Sequence, residues 1–332
     1  MDDRFRALDA WLRASLAGAP FRVEPASADA SFRRYFRVFS GGATAIAMDA
    51  PPGREDSAAF VRVAGLLRRA GLNAPEVLAQ DLDQGFLLLT DLGTTSYMAA
   101  LRGGGDADRL FGDATTALVR WQAATRPGAL PEYDEALLRR ELALFPDWYL
   151  ARHLGVALDG ARRAALEAVF AAILARNLAE ARVFVHRDYM PRNLMVSEPN
   201  PGILDFQDAV VGPISYDVAS LFRDAFVSWD EERVLDGTIR YWEKARRAGL
   251  PVPADFADFW RDVEWMGLQR HLKVLGIFAR LNYRDGKPGY LEDTPRFLGY
   301  VRHAAGRYRD LAPLGRLLDQ VEGRTPAPGQ AS

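Results

Sequence analysis

Apolar residues recur every three to four positions at Phe5, Leu8, Leu12 and Leu16. That spacing predicts an opening helix, ended by Gly18 and Pro20. Short β-like runs follow. Residues 31–40 (SFRRYFRVFS), then Gly41-Gly42, then residues 43–48 read as a hairpin. Phe60, Val63 and Leu67 share one helical face, with Asp56 or Ser57 placed to cap its start and Gly71 its end. Two more β-like runs lie near 76–80 and 85–90, so residues 21–90 read β, β, α, β, β. Beyond Asp91-Leu92-Gly93 the periodicity turns helical, at Leu110, Ala114, Ala117, Leu118 and Trp121, and again at Leu166, Phe170, Ile173 and Leu174. A β-rich island at 183–207 interrupts. Helical spacing resumes from Asp217 to about Leu318, broken at Pro251-Val252-Pro253. The pattern predicts an α+β chain: a β-rich lobe over 1–91, a helical lobe over 92–322 and a polar tail over 323–332.

Composition narrows the chemistry. The chain has 332 residues, 49% hydrophobic and 26% charged, which suits a globular protein of one large domain or two lobes. Its net charge of -2 gives no basic field, so neither nucleic acid nor an anionic membrane is an expected partner. With no cysteine, disulfides, thiolate metal sites and a cysteine nucleophile are excluded. The four histidines are too scattered to suggest a metal cluster. The N-terminus lacks an apolar signal core and no apolar stretch is long enough to span a bilayer, so a soluble, cytoplasmic protein is expected; a monomer is expected as well. Of 42 basic residues only Lys244, Lys273 and Lys287 are lysines, leaving 39 arginines, and no lysine precedes residue 244.

The island carries the chemistry. Residues 183–207 read VFVHRDYMPRNLMVSEPNPGILDFQ. Apolar strands bracket a polar loop containing His186, Asp188 and Asn193. A Pro199-Asn200-Pro201-Gly202 turn returns the chain to Asp205-Phe206. One hairpin is thus expected to gather two carboxylates and an amide. Phosphoryl transfer uses that set: one carboxylate orients the acceptor hydroxyl and takes its proton, and hard oxygen donors hold Mg²⁺.

H-R-D-x-x-x-x-N followed by D-F resembles the signature of the protein-kinase-like bilobal fold, and the chain resembles its aminoglycoside phosphotransferase branch over about 20–310. That resemblance implies ATP and Mg²⁺ as cofactors, Asp188 as catalytic base, and Asn193 and Asp205 as metal ligands. It implies structural roles for His186 and for Asp217, which alone reads equally as a helix cap. It places the nucleotide against Ser31, Phe32, Arg33 and Arg34 and along a hinge at Leu89, Asp91 and Leu92.

The departures are informative. Met48 stands where such kinases carry a lysine, and the phosphate-covering loop (residues 28–37) contains no glycine. Arg33 or Arg34 is the expected substitute cation; alternatively this is an edge strand with solvated arginines. Strand alternation puts Arg33, Tyr35 and Arg37 on one face, and Arg34 and Phe36 on the other. Asp217 follows Phe206 by only eleven positions, with a Gly212-Pro213 turn between, which leaves little room for a peptide platform and favours a small acceptor.

Several further stretches, among them Ser-Phe-Arg-Arg-Tyr-Phe-Arg, Leu-Thr-Asp-Leu-Gly and Gln-Arg-His-Leu-Lys-Val-Leu-Gly-Ile-Phe, resemble a bacterial subgroup of anomeric amino-sugar kinases of peptidoglycan recycling. The implied acceptors are N-acetylmuramate and N-acetylglucosamine, phosphorylated at O1. The acceptor's carboxylate or ring would then meet Trp148, Arg152, Arg223, Asp224 or His271, with His153 and Trp265 as further candidates. An aminoglycoside, choline or amino-alcohol kinase, or a silent nucleotide-binding scaffold, are the competing readings.

Overall fold

A computed structural model describes residues 2–28, 32–223 and 229–323. In chain order the first elements are α1 (Asp3–Ser15), β1 (Phe21–Ala28), β2 (Arg34–Ser40), β3 (Ala43–Asp49), α2 (Ser57–Arg69), β4 (Val77–Asp81) and β5 (Phe86–Thr90). Helices α3 (Tyr97–Arg102), α4 (Ala107–Ala123) and α5 (Glu135–Leu144) follow, then a π-helical segment (Phe145–His153), α6 (Gly160–Leu178) and β6 (Arg182–Val185). The island continues as β7 (Leu194–Met195), β8 (Gly202–Ile203) and β9 (Val210–Pro213). Helices α7 (Tyr216–Phe222), α8 (Glu231–Arg247), α9 (Phe256–Asp285), α10 (Thr294–Arg307) and α11 (Ala312–Val321) complete the chain.

These elements form two compact units. The first comprises Met1–Ala124 and Pro191–Ala209; the second comprises Thr125–Met190 and Val210–Ser332. The change from sheet to helix at residue 91 is real, but the cut between units falls elsewhere: α3, α4 and the β7–β8 hairpin group with the sheet.

The first unit is built on an antiparallel five-stranded sheet ordered β1-β2-β3-β5-β4. Gly41 and Gly42, at φ 58° and 84°, make the β2–β3 turn, a conformation that costs a residue with a Cβ. One sheet face is apolar. Val38, Ala47, Phe86 and Leu88 pack against Leu8 and Leu12 of α1, with Phe36 alongside. The Asp2 side chain caps α1 by accepting from the Phe5 amide (2.7 Å), and Asp56 caps α2 through Ala59 (3.0 Å).

Two elements differ from expectation. Strand β1 carries no clean alternation, because Pro25 and a register shift between Pro25 and Ser27 interrupt it; as an edge strand it tolerates the missing N–H. Gly212-Pro213 is no turn: both residues lie in β9, paired with Val183 and Arg182 of β6. The island is therefore two ladders, β6–β9 in the second unit and β7–β8 in the first, rather than one hairpin. The rest of the second unit is helical, centred on the 30-residue α9, capped by Asp255 and ended at Gly286 with φ 66°. The Pro251-Val252-Pro253 break separates α8 from α9 as expected. No helix among the described residues is long and apolar enough to cross a membrane.

Candidate active site

The second unit holds Asp188. β6 delivers the buried His186, whose ring stands edge-on to Tyr189 at 5.5 Å and whose Nδ1 accepts the Asp188 amide at 3.3 Å. Arg187 adopts a left-handed backbone (φ 75°), a conformation that costs about 1–3 kcal/mol and must be held by its surroundings. Asp217 holds it. Fully buried near the start of α7, its carboxylate accepts the His186 amide (2.7 Å) and the Arg187 amide (3.0 Å). Asp217 is thus a brace for the loop and not merely a helix cap. Burial pushes its carboxyl up to about 7, against the opposing pull of those two amides and of Arg270.

The Arg187 side chain meets Glu141 of α5 at 2.5 Å and lies 5.4 Å from the centre of the Tyr133 ring. Glu141 also binds Lys273 of α9 (3.0 Å) and accepts from the Tyr133 hydroxyl. Burial works against the charge on Glu141, but Lys273 and Arg187 outweigh it and hold its carboxyl below the usual range. No sequence signal marked Glu141 or Tyr133. Lys273 did carry one, as a rare lysine in this chain.

The first unit holds the other half of the motif. The side chains of Asn193 and Asp205 meet, Nδ2 to Oδ2, at 3.2 Å, and the Leu204 amide donates to the Asn193 carbonyl at 2.9 Å. Asp205 is again left-handed (φ 61°), and Gln207 donates to its Oδ1 at 2.9 Å. The neighbouring Phe206 ring is buried 4.7 Å from Phe60 of α2, so the strand end is anchored in the core. An amide and a carboxylate brought together in this way are hard oxygen donors, and the donor set fits Mg²⁺.

The two arginines separate cleanly. Arg33, with its side chain 8% exposed, pairs with Glu55 at 2.7 Å and lies 3.8 Å from Asp205. Glu55 also accepts the Phe32 amide at 3.1 Å, while the Phe32 ring is largely exposed beneath Arg54. Arg34, one residue on, serves the α1 face of the sheet. It binds Asp2 and the fully buried Asp49, which Arg4 also binds. The expectation that either arginine might meet the nucleotide is corrected for Arg34: strand alternation commits it to a structural ion cluster. Met48 is fully buried, in register with Leu87 and beside Leu89 on the face away from α1. Ser31 lies outside the described residues.

In the segment expected to form the hinge, Leu89 is buried in β5 and Leu92 is partly exposed. The Asp91 carboxylate pairs with Arg37 (2.7 Å) and accepts the Gly93 amide (3.0 Å), so its side chain holds the local turn. The proposed acceptor residues are not brought together as one group. Trp148, half-buried, and Arg152, exposed, lie on the π-helical segment, where His153 meets the Tyr283 hydroxyl at 3.2 Å. Trp265 packs on Tyr308 at 5.6 Å. Arg223 and His271 do adjoin, through His271 Nε2 and the Arg223 carbonyl at 3.3 Å. His271 is stacked 4.7 Å from Tyr300, and burial drives its pKa well below the ordinary value, so it is neutral. The Arg223 guanidinium is buried against Glu264 at 3.4 Å and over Trp260. Asp224 lies outside the described residues.

Comparison with known proteins places the chain in a family. The model of the phosphotransferase enzyme family matches residues 22–256. The N-acetylmuramate/N-acetylglucosamine kinase of Pseudomonas aeruginosa is 54% identical over 327 residues, covering 96% of each chain. The protein of the same name from Pseudomonas putida is 51% identical over 297 residues, covering 90% of this chain and 87% of that one. Among solved structures, the ethanolamine kinase of Plasmodium vivax superimposes with a TM-score of 0.63 at 10% identity, covering 89% of this chain and 85% of that one, a likeness of fold. The kinase-like α+β architecture, the loop around Asp188 and the extent of these matches lead to one assignment: this chain is an enzyme of the phosphotransferase family, transferring phosphoryl groups to a hydroxyl acceptor.

Proposed function

We propose that the protein is an ATP-dependent kinase that phosphorylates the anomeric hydroxyl of N-acetylmuramate and N-acetylglucosamine in the cytoplasm. The observation that carries this is identity of 54% across 96% of both chains with a kinase named for those two sugars. The likeness to choline and ethanolamine kinases and to aminoglycoside phosphotransferases, at 10–14% identity, supports no more than the shared fold. The acceptor is therefore taken from the near relatives.

In the proposed reaction Asp188 orients the O1 hydroxyl and accepts its proton as a bond forms from O1 to the γ-phosphorus. The bond from that phosphorus to the β–γ bridging oxygen breaks. ADP leaves, and the sugar 1-phosphate and one proton are released. An anomeric hydroxyl is more acidic than an ordinary alcohol, so a carboxylate suffices as base. Asn193 and Asp205 are the residues that would hold Mg²⁺, which when bound neutralises phosphate charge. Arg33, held by Glu55, supplies the cation that Met48 cannot. The left-handed backbone at Arg187 and the brace from Asp217 fix the loop before the base, so its orientation is set before substrate arrives.

The test is sugar-dependent ADP release with each of the two sugars, and with choline, ethanolamine and an aminoglycoside as comparators. Turnover with the amino sugars, reduced at least about 1000-fold in Asp188→Ala, is expected. Turnover with a comparator instead, or an active Asp188→Ala protein, would overturn the proposal.

A further inference from the structure

Lys273 is an anomaly of composition: one of three lysines in a chain that otherwise uses arginine, and largely buried, with its side chain 11% exposed. A buried ammonium needs partners. Its Nζ lies 3.0 Å from Glu141 and 3.3 Å from the Tyr216 hydroxyl. Both contacts lead to the Asp188 loop. Glu141 grips the Arg187 guanidinium, and Tyr216 precedes Asp217, whose carboxylate accepts the His186 and Arg187 amides. Arg187 and Lys273 both also feel the charge of Asp188.

The neighbouring turn of α9 is tied down in the same region. Gln269 Nε2 donates to the Leu138 carbonyl of α5 at 2.9 Å, and Arg270 offsets the buried charge of Asp217. Gln269, Arg270 and Lys273 are spaced one and four residues apart, so this stretch of α9 presents one polar side to α5 and to the start of α7.

We propose that Lys273 is a positioning residue for the phosphoryl-transfer step: by joining Glu141 to Tyr216 it locks the left-handed Arg187 and so aims Asp188. Without Lys273, Glu141 loses one of its two cations and keeps Arg187 and the Tyr133 hydroxyl. The Glu141 carboxylate that grips the arginine is then less firmly fixed, and the loop loses the cross-link between α5 and α7. A misaligned base lowers the rate of the chemical step while leaving substrate binding largely intact. This inference rests on Asp188 being the base.

The test uses the full chain with Lys273→Met, Lys273→Arg and Asp188→Ala, followed by steady-state kinetics and amide hydrogen exchange. Lys273→Met is expected to lower kcat by about 100-fold with KM for sugar and ATP changed less than about threefold, because it disturbs orientation and not binding. Exchange at the His186 and Arg187 amides should quicken at least about tenfold, as their bonds to Asp217 open more often. Lys273→Arg keeps the charge and should recover most of the rate.

A folded Lys273→Met protein with kcat near wild type would overturn the proposal. So would a slow one with unchanged exchange at those amides, or a Lys273→Arg protein equally impaired. Should Lys273→Met fail to fold, Glu141→Gln/Lys273→Met removes both charges together and is read by the same two measurements. Asp188→Ala separates the two readings: if that protein still turns over, the base assignment is wrong whatever Lys273 does, whereas an inactive Asp188→Ala beside an unimpaired Lys273→Met condemns the positioning role alone.

Discussion

Arg33 and Arg34 are adjacent in sequence, and changing each to methionine should cost similar stability but impair ATP handling only in Arg33→Met. Arg33 and Glu55 are nearly excluded from solvent, at 8% and 10% exposed. Two charges about 4 Å apart at an effective dielectric of about 20 attract by about 4 kcal/mol. Part of that is recovered in Arg33→Met, because Glu55 keeps the Phe32 amide. The net stability loss should be about 2 kcal/mol, below the cost of a wholly orphaned buried charge. The functional loss should be larger. A guanidinium hydrogen bond to phosphate contributes about 1.5–3 kcal/mol, so kcat/KM for ATP should fall roughly 10- to 100-fold. Arg34→Met removes one of two cations from the buried Asp49, and Arg4 remains. Arg34 is over a third exposed, so the cost should sit near the low end, about 1.5 kcal/mol. Its urea midpoint should fall accordingly, with kcat/KM for ATP within about twofold of wild type. Urea unfolding and nucleotide titrations of initial rate measure both quantities. Equal loss of ATP handling in the two variants, or none in Arg33→Met, would refute the assignment of the two arginines to opposite faces.

Restoring the lysine expected of the fold, by Met48→Lys, should not rescue Arg33→Met. The position is fully buried, and an ammonium there should cost on the order of 4 kcal/mol, visible as a lowered urea midpoint. Asp217 sets a pH dependence of stability. Its carboxyl titrates near 7 when folded, above its unfolded value of about 3.9, so the folded chain holds the proton more tightly. Its contribution is greatest below pH ~4 and is lost as pH rises towards 7, a change of roughly 4 kcal/mol that Asp217→Asn should flatten. Urea midpoints measured across pH 4–8 check this, and an unchanged slope in Asp217→Asn would contradict it. The same substitution puts an amide N–H against one of the loop amides, and turnover should fall at least about tenfold at every pH.

Much of this was readable from residue spacing. The helix at Phe5–Leu16, the Gly41-Gly42 hairpin and the break before α9 follow local rules of periodicity and turn chemistry. The meeting of Asn193 and Asp205 was legible because these residues sit close together in sequence, on either side of a strong turn signal. Strand β1 was not legible, since Pro25 and a shifted register erase its alternation. Nor was β9, where Gly212-Pro213 mimics a turn within a fully buried ladder. Glu141 was invisible for another reason. Its partners Arg187 and Lys273 lie 46 and 132 residues away, and no local pattern announces a contact that only tertiary packing creates. The roles of Arg33 and Arg34 needed the same information, because alternation separates two faces without saying which one meets α1.

The order in which the chain visits its two units bears on how it is made. The first unit leaves at residue 124 and is completed only by residues 191–209. That returning hairpin is stitched in by the Asn73 carbonyl, which receives the Ile203 amide, and by the Thr95 carbonyl, which receives the Val196 amide, each at 2.8 Å. A nascent chain emerging from the ribosome can build the sheet early. It must leave this seam open until the whole of the helical unit's first segment has been synthesised, and a fragment ending at residue 124 would expose it permanently.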